Sequence, residues 1–158
     1  MRTQTRKCIV GILALALALG SAPPARAHVV KDLSATTFQT DVTLTTTTEM
    51  VVVSSDQVLT PFATSRVIVI AWAQLTTGTA TTTVTPRIRR GTAITGTLIG
   101  DAVAVTIGAA AGSTEQFYAI AFEERQATDR VQYSLTLQQA AATGNGSALQ
   151  GGIVVIVL

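Results

Sequence analysis

The sequence predicts an all-β fold, a two-sheet antiparallel sandwich, and three observations lead there. Residues 131–139 alternate without a slip: Val131, Tyr133, Leu135 and Leu137 fall on one face, and Gln132, Ser134, Thr136 and Gln138 on the other. A period of two is that of a strand with one wet face. Residues 152–158 are apolar on both parities and largely β-branched, which suits a strand inside a sheet or sandwich. No stretch of helical period follows residue 27, while Thr, a strand former, is abundant.

Taken in order, residues 1–27 read as a secretory signal peptide. Arg2, Arg6 and Lys7 make the charged start, and residues 8–20 are apolar. That run is shorter than the roughly 20 residues a membrane-spanning helix needs. Ser21-Ala22-Pro23-Pro24 breaks it, and Ala25-Arg26-Ala27 has the small-x-small form of a cleavage site. Cys8 sits too early, and without the flanking residues, for a lipoprotein anchor. His28 then becomes the mature start, and no membrane association is expected after cleavage.

Residues 28–48 are polar and Thr-rich, with Phe38, Val42 and Leu44 as apolar points; they read as an extended arm and a first strand. The sandwich domain is assigned to residues 49–158. Within it, residues 49–55 read as a short buried strand and 56–64, with Pro61, as a loop. Residues 66–75, with the only Trp, read as a central strand. Residues 81–90 alternate, and Pro86 removes a ladder donor, which places that strand at an edge or a bulge. Short strands follow at 91–100 and 101–107. Residues 115–123 read as a buried strand, and 131–139 and 152–158 close the fold around Gly144-Asn145-Gly146, which has turn chemistry. About eight or nine strands joined by short turns make a jelly roll. An immunoglobulin-like sandwich is the alternative, without the cysteine pair of the antibody type.

The chain of 158 residues suits one domain. Its net charge of +2 belongs to the N-terminus: beyond Arg26, seven basic residues stand against nine acidic ones. No basic footprint for nucleic acid is left. Only 13% of residues are charged, and so apolar a small domain is expected to cover its surface with partner subunits.

The inventory for chemistry is thin. His28 is the only histidine and Cys8 the only cysteine, so no metal site, cofactor site or Ser-His-Asp triad is expected. Glu123 and Glu124, adjacent on a strand, point to opposite faces. Most aromatic residues fall within strands, which assigns them to the core rather than to a sugar platform. Arg87, Arg89 and Arg90 form the one basic cluster. They are candidates for contact with an anion or an acidic partner, weighed against plain edge protection by charge. Asn145-Gly146-Ser147 is formally a glycosylation sequon and reads more simply as a turn.

The closing segment carries a resemblance. Tyr133-Ser-Leu-Thr-Leu-Gln-Gln, the Thr-Gly-Asn-Gly turn and the terminal Gly-Gly-Ile-Val-Val-Ile-Val-Leu resemble the last two strands of the tumour-necrosis-factor/complement-type jelly roll. Versions of that fold rich in Thr, Ala and Gly occur among bacteriophage head-fibre and capsid-decoration proteins. The likeness runs over about residues 51–158 in strand order and is detailed only in 131–158. A signal peptide departs from the virion pattern and leaves location open between secreted or outer-surface and virion. The resemblance implies a non-catalytic structural subunit, a homotrimer, set on a capsid or cell-envelope surface. Ile153, Val155 and Val157 are then candidates for the subunit interface, with the opposite parity, Val154 and Ile156, as the other choice. A secreted glycan- or envelope-binding module and an extracellular filament subunit are the competing readings.

Overall fold

The structure, a computed structural model, describes residues 30–44, 47–60, 64–78, 80–100, 103–108, 110, 112–126, 129–140 and 146–158. Residues 1–27, read from the sequence as a signal peptide and holding Cys8, lie outside the described residues, as do His28, Pro61, Phe62 and Asn145. Among the described residues twelve strands are formed. They are β1 (Asp32–Phe38), β2 (Val42–Leu44), β3 (Met50–Ser54), β4 (Val58–Leu59), β5 (Ser65–Thr76) and β6 (Thr82–Arg90), followed by β7 (Thr97–Leu98), β8 (Val105–Ile107), β9 (Thr114–Arg125), β10 (Arg130–Val131), β11 (Tyr133–Gln139) and β12 (Gly146–Val157).

Two antiparallel sheets face each other as a jelly-roll sandwich. The first runs β1-β12-β5-β9, with β2 beside the start of β12; the second runs β3-β11-β6, with β7 and β8 along the far side of β6. The pair β4–β10 forms a two-stranded ladder of its own, with Val58 and Val131 reaching into the shared core. Residues 32–44, read from the sequence as arm and first strand, lie inside the first sheet, β1 pairing with β12 from Asp32↔Val157 to Phe38↔Gly151. Pro86 sits where β6 has β11 on one side and, on the other, the gap between β7 and β8. A missing ladder donor is tolerated at such a place.

The core is the space between the sheets. From the first come Val67, Val69, Ala71, Ala73 and Leu75 of β5 and Ile153, Val155 and Val157 of β12; from the second, Val84 and Ile88 of β6 and Tyr133, Leu135 and Leu137 of β11. Period two decides this, since each strand sends alternate side chains to the facing sheet.

Several sequence expectations change. Of residues 91–100, read as a short strand, only Thr97–Leu98 is strand. The Ser134–Thr136 face of β11 is not wet: both residues are buried. β11 lies between β3 and β6, so long side chains of neighbouring segments reach over it. Residues 115–123 are not a buried strand: among the described residues β9 is an edge with β5 as its only ladder partner, and one of its faces is open.

Candidate functional site

The outer faces of the two sheets differ in kind. On the second sheet the face is polar and closed by ion pairs. Arg89 donates from Nε to Glu49 Oε1 at 2.6 Å and from Nη2 to Oε2 at 2.8 Å. Its Nη1 donates to the Gly96 carbonyl at 2.8 Å. Arg87 donates from Nη1 to Glu49 Oε2 at 3.1 Å and to Gln138 Oε1 at 2.6 Å, and Thr136 Oγ1 donates to Glu49 Oε1. The Arg89 guanidinium, with Thr136 and Arg87 behind it, holds the Glu49 carboxyl below the usual range against the cost of its burial. Both candidate arginines on this face, Arg87 and Arg89, are thus engaged by one carboxylate, Glu49.

Arg90 points the other way. It pairs with Glu123, and Tyr133 Oη donates to Glu123 Oε2 at 2.7 Å. Arg125 lies 3.8 Å from the same carboxylate and 2.6 Å from Asp129. Burial, then the hydrogen bond to Glu123, pushes the Tyr133 hydroxyl far above its ordinary pKa. Glu123 therefore points inward and Glu124 outward, as their parity requires. The three candidate arginines serve two separate structural networks and do not converge on one anion site. Among the described residues no group of His, Cys, Asp and Glu has the makings of a metal site.

The outer face of the first sheet is apolar, and strand register builds it row by row. Leu33, Ile156, Ile68 and Phe122 stand in line across β1, β12, β5 and β9. The next row is Ala35, Val154, Ile70 and Ile120, and the third is Thr37, Gly152, Trp72 and Tyr118. Ile70, Val154 and Ile156 pack into a cluster of their own, supported by Ile68, Trp72 and Leu158 and separate from the core. At the β9 side the face is open: Tyr118 is 60%, Ile120 57% and Phe122 71% exposed, and Leu33 on β1 is 48% exposed. Four strands about 4.8 Å apart and three rows about 6.7 Å apart give this face a footprint of roughly 400 Å², with Ile70, Val154 and Ile156 buried at its centre and the exposed side chains along β9 and at Leu33. A footprint of that size is comparable to the largest apolar patch of an ordinary monomer, which is often functional.

This geometry decides the parity left open on β12. Ile153, Val155 and Val157 have no exposure and fill the core against the second sheet, so they are not available as a subunit interface. Val154 and Ile156 belong to the outer face. Tyr118, Ile120 and Phe122 were missed because their strand is apolar on both parities. The available signal was size: β9 carries Ala119 and Ala121 inward and Tyr118, Ile120 and Phe122 outward, the reverse of an ordinary buried strand.

The patch has polar borders. At one end Gln150, Gln74 and Gln116 form a row, Gln150 Nε2 donating to Gln74 Oε1 at 2.7 Å. At the other end Arg66 and Glu124 stand opposite each other and line a shallow cleft of about 410 Å³ with Ile68, Phe122 and Leu158.

No protein-family model matches the chain, and no curated protein does. Solved structures do. The structure of Eiger TNF from S. frugiperda is 10% identical over 81% of this chain and 94% of its own, with a TM-score of 0.44. That of infectious bursal disease virus Gx strain is 15% identical over 86% of this chain, with a TM-score of 0.47; this chain spans 35% of the viral one. The EclA C-terminal domain, a sugar-binding protein, is 12% identical over 85% of this chain and 87% of its own, with a TM-score of 0.37. Likeness at these identities and TM-scores carries no argument about function, which has to come from the faces themselves.

Proposed function

We infer that this chain is a non-catalytic structural subunit, secreted or displayed on an outer surface, that self-assembles through the outer face of its first sheet. The observation that carries this reading is the three-row apolar face with Tyr118, Ile120 and Phe122 open to solvent. Leaving such a surface wet is unfavourable by about 25 cal/mol for each Å², and a second copy removes it from water without any new partner. A homotrimer of decoration or fibre type is the state implied by the resemblance in residues 131–158, with a capsid or cell-envelope surface as the place it sits. The signal-like start at residues 1–27 supports export.

The test is the solution mass, by light scattering, of the protein purified after expression of the full chain, with its amino terminus read by intact mass. A trimer beginning at His28 is expected. A clean monomer at all concentrations overturns self-assembly. A second reading, a glycan- or envelope-binding module, is favoured by the exposed rings of Tyr118, which stands opposite Trp72, and of Phe122 two rows away. It predicts a monomer that binds glycans. The Ile and Val residues between those rings offer no hydrogen bonds to sugar hydroxyls, which ranks it second.

A further inference from the structure

Arg66 and Glu124 stand opposite each other on the outer face of the first sheet, on β5 and β9. Both are exposed. Neighbours across an antiparallel ladder are close enough to pair when their charges are opposite. Among the described residues these two form no ion pair, with each other or with any other group. By contrast Arg87, Arg89, Arg90 and Arg125 are held by carboxylates; Arg130, exposed on β10, also forms no ion pair among the described residues but belongs to the β4–β10 ladder, not to this sheet. Arg66 and Glu124 are a cation and an anion, neither in an ion pair, set side by side and walling one cleft with Phe122 at the end of the apolar patch.

We propose that Arg66 of one copy pairs with Glu124 of the next, making a reciprocal ionic contact that fixes how copies align on the apolar face. The proposal rests on the self-assembly reading and names the groups that would set its geometry. In a two-fold contact both charges meet the same neighbour, whereas in a closed ring such as a trimer each copy gives Arg66 to one neighbour and takes the Arg66 of the other at Glu124. Apolar rows supply attraction without direction; a charge pair at their border selects one register and penalises others by like-charge contact.

The experiment uses the full chain in four forms: wild type, Arg66→Glu, Glu124→Arg, and the double exchange. Sedimentation equilibrium over a dilution series, at low and high salt, reads association. Each single exchange is expected to weaken association about tenfold or more at low salt, and the double exchange to restore it. An equimolar mixture of the two single variants separates a contact between copies from one within a copy. Between copies, the carboxylate introduced at position 66 of one variant meets the guanidinium introduced at position 124 of the other, and association returns. A ring of three cannot alternate two kinds, so a trimer regains two of its three contacts and stays weaker than wild type, whereas an even ring regains all.

Single variants that associate as wild type does overturn the proposal while leaving self-assembly standing. So does recovery in the double exchange without recovery in the mixture, which is the mark of a pair within one copy. A wild type that is monomeric throughout overturns the self-assembly reading itself, and this contact with it. Melting curves of the variants at low concentration, expected to match the wild-type protomer, check that each one folds.

Discussion

Glu49 ties three segments together with one carboxylate, accepting from Arg87 and Arg89 on β6 and from Thr136 on β11. Its lowered pKa gives a signed prediction. The unfolded chain takes up a proton at Glu49 near the ordinary value of about 4.3, while the folded chain resists until lower pH. Stability from this site is therefore present above about pH 4.3 and is lost as pH falls through the folded value. Glu49→Gln is expected to flatten the acid side of a stability–pH curve measured by urea unfolding, and to cost about 2 kcal/mol at pH 7 by leaving two guanidinium groups short of a counter-charge. Tyr133 carries the opposite sign. Its raised pKa means that stability is present below about pH 10 and declines above it, as the unfolded tyrosine ionises first. Tyr133→Phe removes the hydrogen bond to Glu123 and is expected to cost about 1–3 kcal/mol, with a shallower alkaline decline in the same assay. At this scale the sequence shows the arginine cluster plainly but not its partners. Glu49 is 38 residues from Arg87, and Glu123 is 33 from Arg90. Nothing local marks such pairs, because strand order brings them together.

A strand's two parities answer to different surroundings, and β12 shows how far a sequence conveys them. Its run of apolar residues identifies a strand covered on both sides, and the sequence reading of it as an inner strand agrees with its place between β1 and β5. Which parity meets the opposite sheet is decided by register, and register is a long-range matter. The glycines of β12 belong to the same logic. A Cβ on Gly152 would lie 2.5 Å from Trp72 Cη2 and 2.6 Å from Cζ2, because the indole of the opposite residue on β5 lies over this position. Gly152→Ala must displace the ring or the strand, and is expected to destabilise by about 1–3 kcal/mol, as overpacking does. Trp72 is the only tryptophan, so its emission spectrum reports the ring directly. A shift toward that of exposed indole is expected together with the lower urea midpoint. An unchanged spectrum at unchanged stability would show that the ring does not rest there. β9 is the element that sequence periodicity misjudges. Apolar residues on both parities mean that both faces get covered, and periodicity does not say whether the second cover is this chain or another molecule.

The whole molecule is a sandwich whose two outer faces have been finished differently: ion pairs close the second sheet, and aliphatic and aromatic rows leave the first open. Each of these faces is built by residues far apart in the chain, so the asymmetry emerges only once the strands are ordered. It yields a prediction that separates core from interface. Ile120 is 57% exposed and Phe122 71% exposed, so a charge at either place disturbs little in a single protomer, within about 0.5 kcal/mol for a surface site. In an assembly built on this face the same charge would be buried without a partner, at a cost of several kcal/mol. Ile120→Lys is therefore expected to give a folded protomer by light scattering. Val155→Ala on the opposite parity of β12 is expected to keep the assembly and lower protomer stability by about 2 kcal/mol through the cavity it leaves. Concentration dependence distinguishes the two cases further. A protein stabilised by association melts higher as its concentration rises, and this slope should vanish in Ile120→Lys while persisting in Val155→Ala. If Ile120→Lys instead kept the wild-type mass and slope, the apolar face would not be where copies meet, and its exposed rings would have to serve another ligand.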